Sequence, residues 1–339
     1  MNCTSCDDDH ARINSSPQGS RALELTGGLM AERRRFAAIV NPIAGRRNLL
    51  LRVRTIARAV ESRRAGSRLD VLVTQGPRHA MELASELDSG VEAVLVVGGD
   101  GTVGEVLNGL AGQRSPRDSR VPRLSVPMFI LGAGTENLIA REMNMPTDPE
   151  QVADTLLRGE PFAADVGVIN EHRFLAVAGI GFDAECVLRM NRSRRGHITR
   201  GDYFWPIWRT FWEYRYPVLR VDVEGESIFE GRGFVLIGNI ARYSAGLRIL
   251  VKARNDDGLL DVGVFPCASR RRMFGHAYRS FLRRHIGRGG MIYRQCRTTR
   301  ITSDEPVPIE VDGEWGGHLP AECSVQPGAV TFLRMRTGM

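Results

Sequence analysis

The sequence predicts an α/β domain followed by a second, mainly antiparallel β domain, and three observations carry that prediction. Short apolar runs alternate with amphipathic runs between residues 36 and 143. Two of the apolar runs end in glycine clusters that open directly into helical pattern, Gly98-Gly99-Asp100-Gly101-Thr102 and Gly132-Ala133-Gly134-Thr135. From Ala164 onward, short alternating segments separated by turn residues replace that pattern. At 339 residues the chain also exceeds the usual size of a single core, which favours two domains.

Taken in order, residues 1–33 are polar, lack an apolar period and read as a flexible extension, with Met30 a candidate start. The run 36–40, stopped by Asn41-Pro42, reads as a buried strand. Residues 49–64 place Leu49, Val53, Ile56 and Val60 at helical spacing. A strand at 69–74, a helix at 79–87 and a strand at 92–97 follow, then a helix at 103–110 after the first glycine cluster. A Ser- and Arg-rich loop at 113–123 leads to a strand at 126–131 and a helix at 137–143. Such alternation implies parallel strands with ligands at their carboxyl ends. The boundary is expected near Phe162, giving 34–162, completed by the returning segment 325–337, and a β domain at 163–324. Its strands are expected at 165–170, 173–178, 219–224, 233–238, 258–264, 299–301 and 307–311.

The formal charge is +7, carried by arginine, with Lys252 the sole lysine. That balance fits an anionic partner: a nucleotide, a nucleic acid or an acidic lipid surface. No recognised nucleic-acid motif accompanies it, so nucleic acid is not expected. No stretch is long and apolar enough to span a bilayer, and the start lacks a signal peptide, so a cytoplasmic location is expected. The six cysteines form only one CxxC pair, Cys3 and Cys6, which points to free thiols rather than a zinc site.

A strand that feeds glycines into a helix aims backbone N–H groups and the positive helix end at one spot, which suits a phosphate. Asp100 then needs its own chemistry, because a carboxylate repels phosphate unless it binds a cation or handles a proton. The same string also arises as a tight turn in which Asp100 or Thr102 caps the helix. Two such elbows at adjacent strand ends favour the anion reading, because together they form one crevice.

The ordered residues resemble the diacylglycerol kinase catalytic family, related to sphingosine kinases and more remotely to NAD kinases. The matches are Asn41-Pro42 with Gly45; Thr74 with His79-Ala80; 98–102 with Glu105, Asn108 and Gly109; and 132–135 with Asn137. They continue as Gly179-Ile180-Gly181-Phe182-Asp183-Ala184, Asp257-Gly258-Leu259-Leu260-Asp261-Val262 and Val311-Asp312-Gly313-Glu314. The resemblance implies a phosphofructokinase-like α/β domain and a β-sandwich domain, with ATP and the acceptor meeting between them. It implies nucleotide contacts from Asn41, Thr74, Gly98, Gly99, Gly101, Thr102, Glu105, Gly134, Thr135 and Asn137. Asp100 would support Mg²⁺ and phosphoryl transfer, Glu314 would be the general base, and Asp257 with the carbonyls near Leu259 would match a second, structural Mg²⁺ site. Ordinary turn chemistry is the competing reading of Asp257 and Glu314. The chain departs from the family at Leu138, where many bacterial relatives carry an acid, and at Ile43 and Gly104.

The activity implied is ATP-dependent transfer of the γ-phosphate to the hydroxyl of diacylglycerol or a related long-chain lipid, with peripheral membrane contact; a homodimer is left open. The aromatic run from Tyr203 to Trp212, the arginines between Arg189 and Arg200 and those between Arg270 and Arg288 have the composition of a membrane interface. They read equally well as core-packed helices with solvated basic flanks. An NAD or other soluble-metabolite kinase is the alternative within the same chemistry. A catalytically silent lipid-binding regulator is the alternative of another class.

Overall fold

In a computed structural model, the structure describes residues 33–45, 48–112, 126–193 and 204–336. The extension at 1–32, the loop at 113–123, and Arg194, Arg195 and Arg200 lie outside the described residues.

The first half is β1 (Arg35–Val40), α1 (Leu49–Arg63), β2 (Arg68–Val73), α2 (His79–Ser85), β3 (Ala93–Gly98), α3 (Asp100–Gly112), β4 (Met128–Gly132), α4 (Leu138–Glu142) and α5 (Pro149–Arg158). The strands lie parallel in the order β2-β1-β3-β4. Strand β3 is buried along its whole length, as a continuous Val/Leu run requires when both faces of a parallel sheet are covered. Helix α1 starts where the Asn48 side chain accepts the Leu51 N–H at 3.1 Å, and it buries the Leu49, Val53, Ile56 and Val60 stripe. It packs on α5, an element the periodicity reading passed over. The signal for α5 was nonetheless local: Asp148 accepts the N–H groups of Glu150 and Gln151, and Pro149 opens the helix.

The second half is β5 (Glu160–Ile169), β6 (His172–Phe174), β7 (Val177–Ile180), α6 (Phe182–Ser193), α7 (Phe204–Glu213), β8 (Val218–Val223), β9 (Glu226–Gly238), β10 (Leu260–Pro266), α8 (Arg270–Phe281), β11 (Ile292–Cys296), β12 (Thr298–Thr302), β13 (Pro308–Val311), β14 (Glu314–His318) and β15 (Ala321–Arg334). One sheet runs β6-β5-β15-β12-β8-β9 and the other β14-β13-β7-β9-β10-β11, with the long β9 shared between them. Ile180, Leu219, Val221, Val235, Ile237, Val262 and Ile309 belong to a core of their own in this half. The fold is therefore an α/β domain joined to a β-sandwich.

The segment expected as one strand over 173–178 is instead broken. The N–H groups of Leu175 and Ala176 turn away from the ladder to the Asp312 carboxylate, which separates β6 from β7. The chain end ties the halves together. Phe332 of β15 lies beside Met128 of β4 in parallel register, while β5 pairs antiparallel with β15. The irregularity in that pair, between Gln326 and Val330, is held by buried Asp165, whose two oxygens accept the Gly328 and Gly258 N–H groups at 2.7 Å each.

Candidate phosphate and acceptor site

All four parallel strands deliver expected site residues at their carboxyl ends. Asn41 follows β1, Thr74 follows β2, Gly98 ends β3, and the second glycine cluster follows β4. Backbone bonds fix these ends to one another: Asn41 N–H to Val97 O at 2.8 Å, Thr74 N–H to Val40 O at 2.9 Å, and Ala133 N–H to Gly98 O at 2.8 Å. The Asn41 amide also donates to Thr102 Oγ1 at 3.2 Å. Missing side chains make the convergence possible. A Cβ on Gly134 would stand 2.7 Å from Gly99 Cα, and one on Gly45, at φ +72°, would stand 2.2 Å from Ala133 O.

Helix α3 begins at Asp100, three residues before the expected start, so the glycine loop is itself the first helical turn. The first intrahelical bond is Val103 N–H to Gly99 O at 3.2 Å, which leaves Gly101 and Thr102 with first-turn N–H groups that have no acceptor within the helix. This is the donor arrangement an anion requires. Asn137, in left-handed conformation at φ 50°, braces the second cluster. Its Oδ1 accepts the Gly134 N–H at 2.7 Å and its Nδ2 donates to Gly134 O at 2.8 Å.

Asp100 does not cap its own helix. Its two oxygens accept the N–H groups of Leu138 and Ile139, at 3.0 and 3.2 Å, and so cap α4. Burial pushes the Asp100 carboxyl up, the two N–H donors pull it back and the Glu136 charge raises it again. Glu105, expected at the nucleotide, holds the start of α2 instead, with its oxygens accepting from the Arg78 and Ala80 N–H groups at 2.9 and 3.1 Å. Thr135 lies beside Gly134 in the second cluster, between the braced glycine and Glu136. Asp257 is exposed and accepts the Leu259 N–H at 3.1 Å, within its own turn, and no contact described for it reaches the glycine loops.

The acceptor side comes from a hairpin. Asp312 and Gly313, at φ 49° and 86°, form the two-residue turn between β13 and β14, and Glu314 opens β14. A Cβ built on Gly101 would lie 3.2 Å from Glu314 Oε1, so the carboxylate stands directly over the first turn of α3. Asp100 and Glu314, 214 positions apart in sequence, thus flank the same few ångströms of backbone.

Three further acids that the motif matching had not given roles hold this hairpin. Asp312 accepts N–H groups from Leu175, Ala176 and Val177 at 2.8, 2.9 and 3.0 Å. Burial pushes its carboxyl up to about 6 against those donors. Glu310 accepts the Gly313 N–H at 2.8 Å and is hydrogen-bonded to Asp183, which also accepts from the Tyr243 hydroxyl. Both carboxyls are raised by burial, and the Asp183 charge raises Glu310 further, so the two acids hold one proton between them. Gly179 makes room, since a Cβ there would come within 2.7 Å of both acids. An acid inside the apolar run Ile309-Glu310-Val311 was the sequence signal that such a pair existed.

Among the described residues, no group of three His, Cys, Asp or Glu side chains is close enough to hold a metal unaided. The four described cysteines, 186, 267, 296 and 323, are buried free thiols.

The family model described as "Diacylglycerol kinase catalytic domain" matches residues 35–169, and "YegS C-terminal NAD kinase beta sandwich-like domain" matches residues 176–334. A diacylglycerol kinase of Mycobacterium tuberculosis (strain ATCC 25618 / H37Rv) is 31% identical over 263 residues, 76% of this chain and 81% of that protein. One from Staphylococcus carnosus (strain TM300) is 28% identical over 293 residues, 85% of this chain and 91% of that protein. The fold is similar to a solved diacylglycerol kinase structure from Bacillus anthracis str. Sterne, with TM-score 0.68 and 23% identity, covering 89% of this chain and 97% of that one.

Proposed function

The chain belongs to the diacylglycerol kinase catalytic-domain family, and on that premise we propose that it transfers the γ-phosphate of ATP to the hydroxyl of diacylglycerol or a related long-chain lipid at a membrane surface. The single observation that carries the reading is the approach of Glu314 Oε1 to Gly101, which sets a proton acceptor against an anion-binding helix turn. Phosphoryl transfer asks the protein chiefly for positioning and charge stabilisation, and the two halves divide that work.

In this reading the Gly101 and Thr102 N–H groups and the second glycine cluster bind the ATP phosphates, with Asn41 and Thr74 flanking the nucleotide. Glu314 takes the proton of the lipid hydroxyl as its oxygen attacks the γ-phosphorus; the bond to the bridging oxygen breaks, and ADP leaves with the electron pair. Asp100 would suit a cation through its neighbour, since the Glu136 carboxylate sets a second negative charge near it. Bound Mg²⁺ would neutralise phosphate charge, taking Asp100, water and phosphate oxygens as ligands, as this ion commonly does. The match at Asp257 and Leu259 is a proposed structural cation site; its exposed turn supports no catalytic role.

The capping of α4 by Asp100 favours one second reading, a silent lipid-binding regulator in which this carboxylate serves only the helix. An ATP assay offering diacylglycerol, sphingosine and NAD separately tests the proposal. It predicts phosphorylation of a long-chain lipid. NAD as the sole acceptor would contradict it, and no turnover by folded chain with Mg²⁺ and vesicles would favour the silent reading.

A further inference from the structure

The ridge formed by α7 and α8 carries exposed aromatic rings that the catalytic reading leaves unused. Trp205, Trp208 and Trp212 fall at i, i+3 and i+7, hence on one stripe of α7, while Pro206 and Thr210 face inward. They are 66%, 45% and 46% exposed and account for three of the chain's four tryptophans. On α8, Phe274, Tyr278 and Phe281 form a second outward stripe, 66%, 57% and 73% exposed, with Met273, His276 and Ser280 buried behind it. Arg270 joins the two stripes. Its guanidinium lies over the Trp212 ring at 5.1 Å and donates to Trp212 O at 2.7 Å, and Phe274 is one turn further along the same face.

Charge identifies the occupant. Between Asp261 and Asp304 the chain has ten arginines and no acidic residue, and α8 opens on Arg270, Arg271 and Arg272 at its positive dipole end. The acid on α7, Glu213, is engaged by Arg189 at 2.6 Å and Arg209 at 2.9 Å. Arg189 is accordingly tied to Glu213 and Glu185 rather than offered to a partner, contrary to the expectation that grouped it with the basic belt. A second copy of the chain would bring like charge to like charge. Aromatic rings beside an arginine-rich helix that carries no acidic residue fit a uniformly negative surface with an apolar interior.

We propose that the α7–α8 ridge docks the protein on an anionic phospholipid bilayer, with the aromatic stripes entering the interfacial layer and the α8 arginines meeting the headgroups. The inference rests on the lipid-kinase reading for its purpose, while its physical basis is independent. The ridge is also placed for that purpose: α6 packs on α7 and on both β13 and β14, the strands that carry the Glu314 hairpin.

The test uses the full chain with vesicles of phosphatidylcholine alone or mixed equally with phosphatidylglycerol, some carrying brominated acyl chains. Two variants are compared, Trp205→Ser/Trp208→Ser/Phe274→Ser/Phe281→Ser and Arg271→Glu/Arg272→Glu, the second touching only exposed side chains. The native chain should sediment with anionic vesicles and lose tryptophan fluorescence to bromine. Each variant should bind at least about tenfold more weakly. Both variants should keep native turnover on a dispersed short-chain diacylglycerol and lose about tenfold or more on vesicle-borne substrate. Unchanged vesicle binding by the variants, equal binding to neutral vesicles, or a lower sedimentation mass on mutation, which would mark a self-association surface, would overturn the proposal. If the lipid-kinase reading fails instead, no diacylglycerol is phosphorylated in either format, yet the binding and quenching results stand.

Discussion

The phosphate loops hold their shape by lacking side chains, whereas the Glu314 hairpin is held by buried carboxyl groups. At Gly45 and Gly134 a single methyl would strike a neighbouring loop, and at Gly99 it would crowd one, so the crevice is a matter of backbone approach. Across from it, Asp312, Glu310 and Asp183 are spent on N–H groups, a shared proton and a tyrosine hydroxyl. Backbone dipoles aimed at a point suit a highly charged ligand, because they need no reorganisation when it arrives. A base that must accept a proton needs a fixed position more than a fixed charge, and a satisfied acid network supplies that. The two sides should therefore break in different ways.

A large effect is expected at Asp100. Replacing it with Ala removes the carboxylate proposed to stand beside the phosphates and the cap of α4, and turnover should fall by about 10²–10³-fold or more. Steady-state kinetics on a variant shown to remain folded at the assay temperature reads this. On the hairpin, Glu310→Ala should destabilise by about 3–5 kcal/mol, since Asp183 is left buried without its proton-sharing partner. Glu310→Gln keeps a donor toward Asp183 and an acceptor for Gly313, and should cost less than about 1 kcal/mol. Equal losses in urea unfolding would break the reading of the two acids as a proton-sharing pair.

The Asp312 carboxyl gives the comparison a pH signature. Its folded pKa is raised to about 6 from an ordinary 3.8, so the unfolded chain releases this proton first as pH rises. Stability is fully present below the unfolded value and is lost as pH climbs through the folded one, by about 3 kcal/mol for a shift of this size. The difference in unfolding free energy between native chain and Asp312→Asn, followed from pH 4 to pH 7, isolates that loss because the other acids cancel. On the phosphate side, Gly45→Ala should cost roughly 1–3 kcal/mol through the strained φ and the clash with Ala133 O, and should weaken ATP binding. Glu105→Gln should be similarly mild, about 1 kcal/mol of stability with ATP affinity unchanged, because its contacts are to the start of α2. A large loss of ATP affinity there would return Glu105 to the nucleotide.

The same contrast explains what was legible in sequence. Strands β1, β3 and β4 and the glycine elbows are local features, read from a dozen residues apiece, and they lie within about two residues of where periodicity put them. Glu314 was legible only through an ordered motif, because β14 carries Gly316 and Gly317 and lacks an alternating apolar pattern. The break between β6 and β7 was illegible for a related reason: its cause, Asp312, lies more than 130 positions away. Helix α8 stayed ambiguous between a membrane-interface stretch and a core-packed helix, since exposed Phe274, Tyr278 and Phe281 blur the buried stripe of Met273, His276 and Ser280.

The most direct test of the division of labour uses one preparation of Glu314→Gln and two readouts. Equilibrium ATP binding should match the native chain, while transfer of labelled phosphate from ATP into a total lipid extract falls by about 10²–10⁴-fold. Native-level transfer by this variant, or a parallel collapse of ATP binding in a protein that unfolds normally, would contradict the account.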